Sequence, residues 1–118
     1  MPQAITTPPT PEELSARLNR VRGAMEAAGL DFYVSYDPAN VYYLTNFANY
    51  VHERPFVLVI GRDGQAKFVV PQLEEPHVLA RAVCELDLVR YDEFPAPEGR
   101  RWCDRLRSLI PSTARVSP

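Results

Sequence analysis

The feature that most constrains this chain is a pair of apolar runs joined by a turn. Phe56-Val57-Leu58-Val59-Ile60 is followed by Gly61-Arg62-Asp63-Gly64, and the chain returns as Ala66 to Val70. Near-continuous apolar runs of this length read as buried strands rather than half-exposed ones. The Gly/Asp-rich turn between them makes the pair a hairpin. At 118 residues the chain is one domain, long enough to bury a core and too short for two.

Upstream of the hairpin, Thr10, Pro11 and Glu13 form a helix-start signal of N-cap, N1 proline and capping box. Leu14, Leu18, Val21 and Met25 then make one apolar stripe, and Gly29 supplies the stop. Residues 1–9, with little to bury, read as a mobile arm before a domain spanning 10–118. Asp31 to Tyr36 reads as a strand, and Asp37-Pro38 starts a short helix through about Leu44, with Tyr43 in the core and Tyr42 exposed. Downstream, a helix is expected over Leu73–Val83 with Leu79, Ala82 and Val83 on one face, then a strand over Leu86–Tyr91. A third long helix is expected over Arg100–Ile110, and Ala114 to Pro118 looks like a further strand that breaks off at once. Strands alternating with helices imply an α/β sheet, and the hairpin makes that sheet mixed.

Composition excludes several function classes. With 46% hydrophobic and 24% charged residues the chain reads as a globular domain, and its formal net charge of -2 gives no electrostatic case for nucleic acid or an anionic membrane as partner. No apolar run approaches a membrane span, and two cysteines are too few for a disulfide framework, so a cytoplasmic location is expected. Cys84 and Cys103 read as buried, inert thiols. No serine sits in a nucleophile elbow, and the five glycines make no phosphate loop. Neither His52 nor His77 has a partner placed to complete a metal site. The polar residues that stand out are His52, Glu53 and Arg54, immediately before the buried strand. Strand ends are where α/β proteins place ligand contacts. Arg54 is open to two readings, a bidentate contact to a substrate or partner subunit and a structural ion pair with a nearby carboxylate.

Three segments carry a resemblance: Gly29-Leu30-Asp31, the run Asp37-Pro38-Ala39-Asn40-Val41-Tyr42-Tyr43-Leu44-Thr45, and the strand–Asp63-Gly64–strand–Pro71 unit. In this order and spacing, from about Glu12 to Arg90, the chain resembles the N-terminal domain of the creatinase/prolidase family, which includes Xaa-Pro dipeptidases and aminopeptidases. The resemblance implies a three-layer-like mixed β-sheet flanked by helices, with a ribonuclease H-like motif. It implies that this chain is the non-catalytic N-terminal part of a longer hydrolase. A C-terminal catalytic domain, absent here, would hold two divalent metal ions (Mn, Co or Zn) through two Asp, one His and two Glu, with no metal ligand in this chain. The implied partners are that catalytic domain, a second copy in a homodimer, and a small peptide or amide substrate. Arg54 matches in position an arginine that grips the substrate carboxylate in creatinase-like members. His52 falls where those members carry an aromatic residue. Asn46 stands where a glycine is common, and asparagine tolerates the left-handed backbone such a turn needs. A stand-alone α/β binding or dimerisation module is the alternative of a different class.

Overall fold

The computed structural model describes residues 9–48, 54–63, 66–82, 86–93 and 98–117. Most of the expected arm, together with His52, Glu53, Val83 and Cys84, lies outside them. Helix α1 runs Pro11–Ala28, with the Thr10 hydroxyl accepting from the Glu13 N–H at 3.1 Å. The Glu13 carboxylate pairs with Arg17 at 2.9 Å, so it serves the helix flank rather than a reciprocal cap. At the other end Gly29 adopts φ 69°, the Gly29 N–H donates to Glu26 O and the Leu30 N–H donates to Met25 O. That is a Schellman stop, which a residue with a Cβ would strain.

The following elements are β1 (Phe32–Ser35), α2 (Pro38–Thr45), β2 (Val57–Gly61), β3 (Ala66–Pro71), a 3-10 turn (Gln72–Glu74), α3 (Glu75–Arg81), β4 (Leu86–Tyr91), α4 (Trp102–Leu109) and β5 (Val116–Ser117). The sheet order is β4-β3-β2-β1-β5. The hairpin pairs β2 with β3 antiparallel and β1 joins β2 antiparallel, whereas β4 and β5 add parallel strands at the two edges. The mixed sheet expected from the hairpin and the helix–strand alternation is therefore present.

Side-chain alternation along the central strands splits the core in two. Leu58, Ile60, Phe68 and Val70 face α1, α2 and α3, with Met25, Val41, Leu44 and Val78 packed on them. Val57, Val59 and Val69 face the opposite way, toward Leu106 and Leu109 of α4. Both faces of the hairpin are thus covered, which is why its strands read as continuous apolar runs. Phe47, Phe56 and Phe68 form an aromatic cluster inside the first layer, with ring centroids 5.4 to 6.1 Å apart.

Three expectations about burial are corrected. Tyr43 is not core: it is 46% exposed, and Tyr42 is exposed too. The buried stripe of α2 is Val41, Leu44 and Thr45, and at 3.6 residues per turn Tyr43 lies about 200° around the helix from Val41. Tyr43 instead lies under the Arg17 guanidinium, 4.4 Å from the ring centroid. In α3 the inward residue is Val78, while Leu79 is exposed. Leu73 falls in the 3-10 turn, so the helix starts two residues later than expected, and Val78 with Ala82, four residues apart, packs on the core while Leu79 lies about 100° around from Val78. Cys103 is a free thiol of intermediate burial rather than a fully buried one.

Candidate functional site

The topology brings several chain ends to one end of the sheet. Strands β1, β3 and β4 terminate there, and β2, antiparallel to β1 and β3, begins there. Arg54 stands just before β2, Glu74 follows β3, and Glu93 follows β4. The three meet: Arg54 Nη1 donates to Glu74 Oε1 at 2.8 Å, and Arg54 Nε pairs with Glu93 Oε2 at 3.2 Å. Glu74 Oε2 in turn lies 2.7 Å from His77 Nδ1 on α3. Next to Arg54, the carbonyl of Pro55 accepts from the Tyr91 hydroxyl at 2.9 Å. The segment leading into β2 is therefore tied to the ends of β3 and β4 by two ion pairs and a phenol.

The cluster carries an excess of negative charge, two carboxylates against one guanidinium. Its most distinct electrostatic consequence is at Tyr91. Burial pushes this phenol well above the usual tyrosine range, the nearby Glu93 carboxylate pushes it further, and Arg54 opposes both. The other carboxylate oxygen of Glu93, Oε1, is buried with no hydrogen-bond partner.

Arg54 also lines a cleft of about 900 Å³ between the end of β1, the start of β2 and α4. Tyr33, Tyr36, Phe56 and Trp102 provide aromatic walls, and Ser35, Asp37 and Asn40 provide polar groups. Asp37 occupies the N-cap position of α2 with extended backbone, but its side chain makes no capping bond there. Arg54 is partly exposed at this cleft, with 36% of its side chain open. His52, the second residue singled out, lies outside the described residues. No group of three His, Cys, Asp or Glu close enough to hold a metal ion occurs among the described residues. Among them, likewise, no helix is long and apolar enough to cross a membrane.

Sequence reasoning singled out Arg54 and left its partners undetermined. Glu74, Glu93 and Tyr91 lie 20 or more positions away, and His77 was weighed only as a metal ligand. The local hints were that Tyr91 ends a predicted strand and Glu93 closely follows it, whereas Glu74 falls in the first turn of a predicted helix.

A five-stranded mixed sheet with three helices on one face and one on the other, and a charged cluster at one sheet end, defines a three-layer α/β domain with its polar groups gathered where strands end. Residues 17–117 match the creatinase/prolidase N-terminal domain. The chain belongs to that family. Among solved structures it is similar to the creatinase/prolidase N-terminal domain of an X-Pro dipeptidase from Streptococcus pyogenes, at TM-score 0.67 and 23% identity over 84% of this chain and 70% of that one. A proline dipeptidase from Streptococcus agalactiae matches at TM-score 0.65 and 24% identity over 86% of this chain and 74% of that one. Against the prolidase from Pyrococcus furiosus, the TM-score is 0.51 and the identity 22%, over 62% of this chain and only 20% of that one. At these identities the likeness is one of fold. A search of curated proteins returns no match.

Proposed function

We propose that residues 10–118 are the non-catalytic N-terminal domain of a dinuclear-metal hydrolase of the Xaa-Pro dipeptidase or aminopeptidase type. The observation that carries this reading is the family match over residues 17–117. In it, the chain contributes dimer contacts and lends the segment holding His52 and Arg54 to an active site otherwise built by a C-terminal catalytic domain. The metal pair is assigned to that catalytic domain on the family relationship. The substrate class is a small peptide, with an Xaa-Pro bond as the default, or another small amide.

The open position of Arg54 on an aromatic cleft supports its role as the substrate contact. Its two ion pairs favour the second reading, in which it only fastens the segment before β2. Arg54→Ala in the full-length polypeptide separates them. As a substrate contact its loss lowers turnover of an Xaa-Pro substrate by more than about tenfold with metal content unchanged. Wild-type kinetics in a folded variant would leave Arg54 as a purely structural clasp.

A further inference from the structure

We propose that Glu74 and Glu93 neutralise and orient Arg54, so that the group it recognises in the cleft is a neutral carbonyl or amide oxygen rather than a free carboxylate. This rests on the reading of Arg54 as the ligand-facing residue and refines the chemical class of what it meets.

The geometry of the guanidinium comes first. Arginine presents its donors in a rigid planar fork, and it binds a carboxylate best through two parallel hydrogen bonds from one edge. Here Glu74 accepts from Nη1, and Glu93 lies 3.2 Å from Nε as an ion pair. These nitrogens do not share an edge, so the two carboxylates grip the group from separate flanks and hold its plane. Each of the two bidentate edges pairs one of these nitrogens with Nη2, so a ligand approaching either edge also approaches one of the two carboxylates. The nitrogen that neither carboxylate takes is Nη2, and Arg54 lines the cleft.

Charge points the same way. One guanidinium faces two carboxylates that are themselves only 22% and 29% exposed, so their charges are incompletely screened. Among the described residues, the other basic side chain contacting this cluster is His77, which bonds Glu74 and is mostly exposed. Tyr91, kept protonated by burial, adds no charge. A ligand carboxylate arriving at Nη2 would gain one hydrogen bond and meet two like charges within a few ångströms. A carbonyl oxygen gains the same hydrogen bond without the repulsion, and an amide adds a donor suited to a site rich in acceptors. Each like charge at this range is worth on the order of a tenfold change in affinity.

The test uses two matched probes, N-acetylproline and N-acetylprolinamide, titrated into the 118-residue chain while the Arg54 Nε–Hε resonance is followed by NMR. The amide should shift the signal at about tenfold lower concentration than the acid. Glu93→Gln and Glu74→Gln should each narrow or reverse that preference, while Glu93→Asp, which keeps the charge, should retain it. Either Gln variant suffices if the other fails to fold. Tighter binding of the acid by the wild-type chain, no response to either probe, or a preference untouched by charge removal would each overturn the proposal. The outcome is independent of the kinetic test of Arg54→Ala. An impaired Arg54→Ala enzyme together with an acid-preferring chain refutes this inference alone. Wild-type Arg54→Ala kinetics refutes the substrate-contact reading and leaves the probe preference to be judged by itself.

Discussion

Asn46 is the position where backbone strain, capping and the link from α2 to α3 meet, and its substitution gives the sharpest stability prediction. It ends α2 with φ 67° and ψ 7°, the one non-glycine residue with positive φ among the described residues. Its N–H donates to Tyr42 O at 2.8 Å, and its side-chain Nδ2 donates to Arg81 O at 3.2 Å, joining α2 to the end of α3. The next residue, Phe47, is turned into the aromatic cluster by this conformation. Alanine in the left-handed region costs roughly 1 kcal/mol more than asparagine or glycine, and the exposed side-chain hydrogen bond is worth about 0.5–1 kcal/mol. Asn46→Ala should therefore destabilise by about 1.5–2 kcal/mol. Asn46→Gly loses the same hydrogen bond and adds unfolded-state entropy but relieves the backbone, so it should fall within about 1 kcal/mol of wild type. Urea denaturation followed by circular dichroism reads both, and an unchanged m-value certifies that the native and denatured ensembles are comparable. In thermal melts the alanine variant should lose roughly 6 °C or more. If alanine and glycine prove equally damaging, the left-handed backbone is not the reason for asparagine here. The link to Arg81 would then carry the effect.

Phe68 is fully buried against Phe47 and Phe56, so Phe68→Ala should cost about 3–5 kcal/mol in the same assay, a large share of the roughly 5–15 kcal/mol expected for a whole domain. A loss under 1 kcal/mol would mean the first layer repacks freely. Tyr91→Phe removes the bond to Pro55 O and should cost about 0.5–1.5 kcal/mol at neutral pH. The same variant tests the raised phenol pKa. Below the ordinary value of 10.0 the phenol is protonated in both states and its contribution is complete. Above that value the unfolded chain ionises while the folded one keeps its proton, so stability falls as pH rises. Wild type should lose stability relative to Tyr91→Phe above pH 10.0, and parallel curves would show that Tyr91 ionises freely in the folded state.

The elements that were legible are those whose causes are local. The N-cap at Thr10, the stop at Gly29 and the pairing of the hairpin strands each depend on a few adjacent residues and each is present, although Glu13 does not close the capping box. Strand β4 kept its predicted bounds, Leu86–Tyr91. Asn46 was legible for the same reason, because left-handed tolerance is a property of the residue itself. The misreadings came where neighbours decide. Tyr43 looked like core because Leu44 and Phe47 are near it in sequence, yet helical phase turned it outward toward Arg17. Leu79 lost its inward place because the stripe that packs on the core is Val78 with Ala82. Half of the candidate site had the same fate. Arg54 stood out by its position before an apolar run, but nothing in its vicinity named Glu74 or Glu93 as its partners.

Those partners follow from strand direction rather than from any motif. Once the hairpin sets β2 antiparallel to β3, the residue before β2 and the residues after β3 must share one end of the sheet. Because β4 runs parallel to β3, its end arrives at the same place, bringing Tyr91 and Glu93. Because β1 runs antiparallel to β2, Ser35 and Asp37 arrive there too and form the cleft wall opposite Arg54. A charged cluster beside a cleft is thus what this topology produces when polar residues follow the strands. The choice left to the sequence is the balance of charge within it. With one arginine set against two glutamates, the balance suits the neutral acceptor proposed for Arg54, and a receptor built to attract anions would have it reversed.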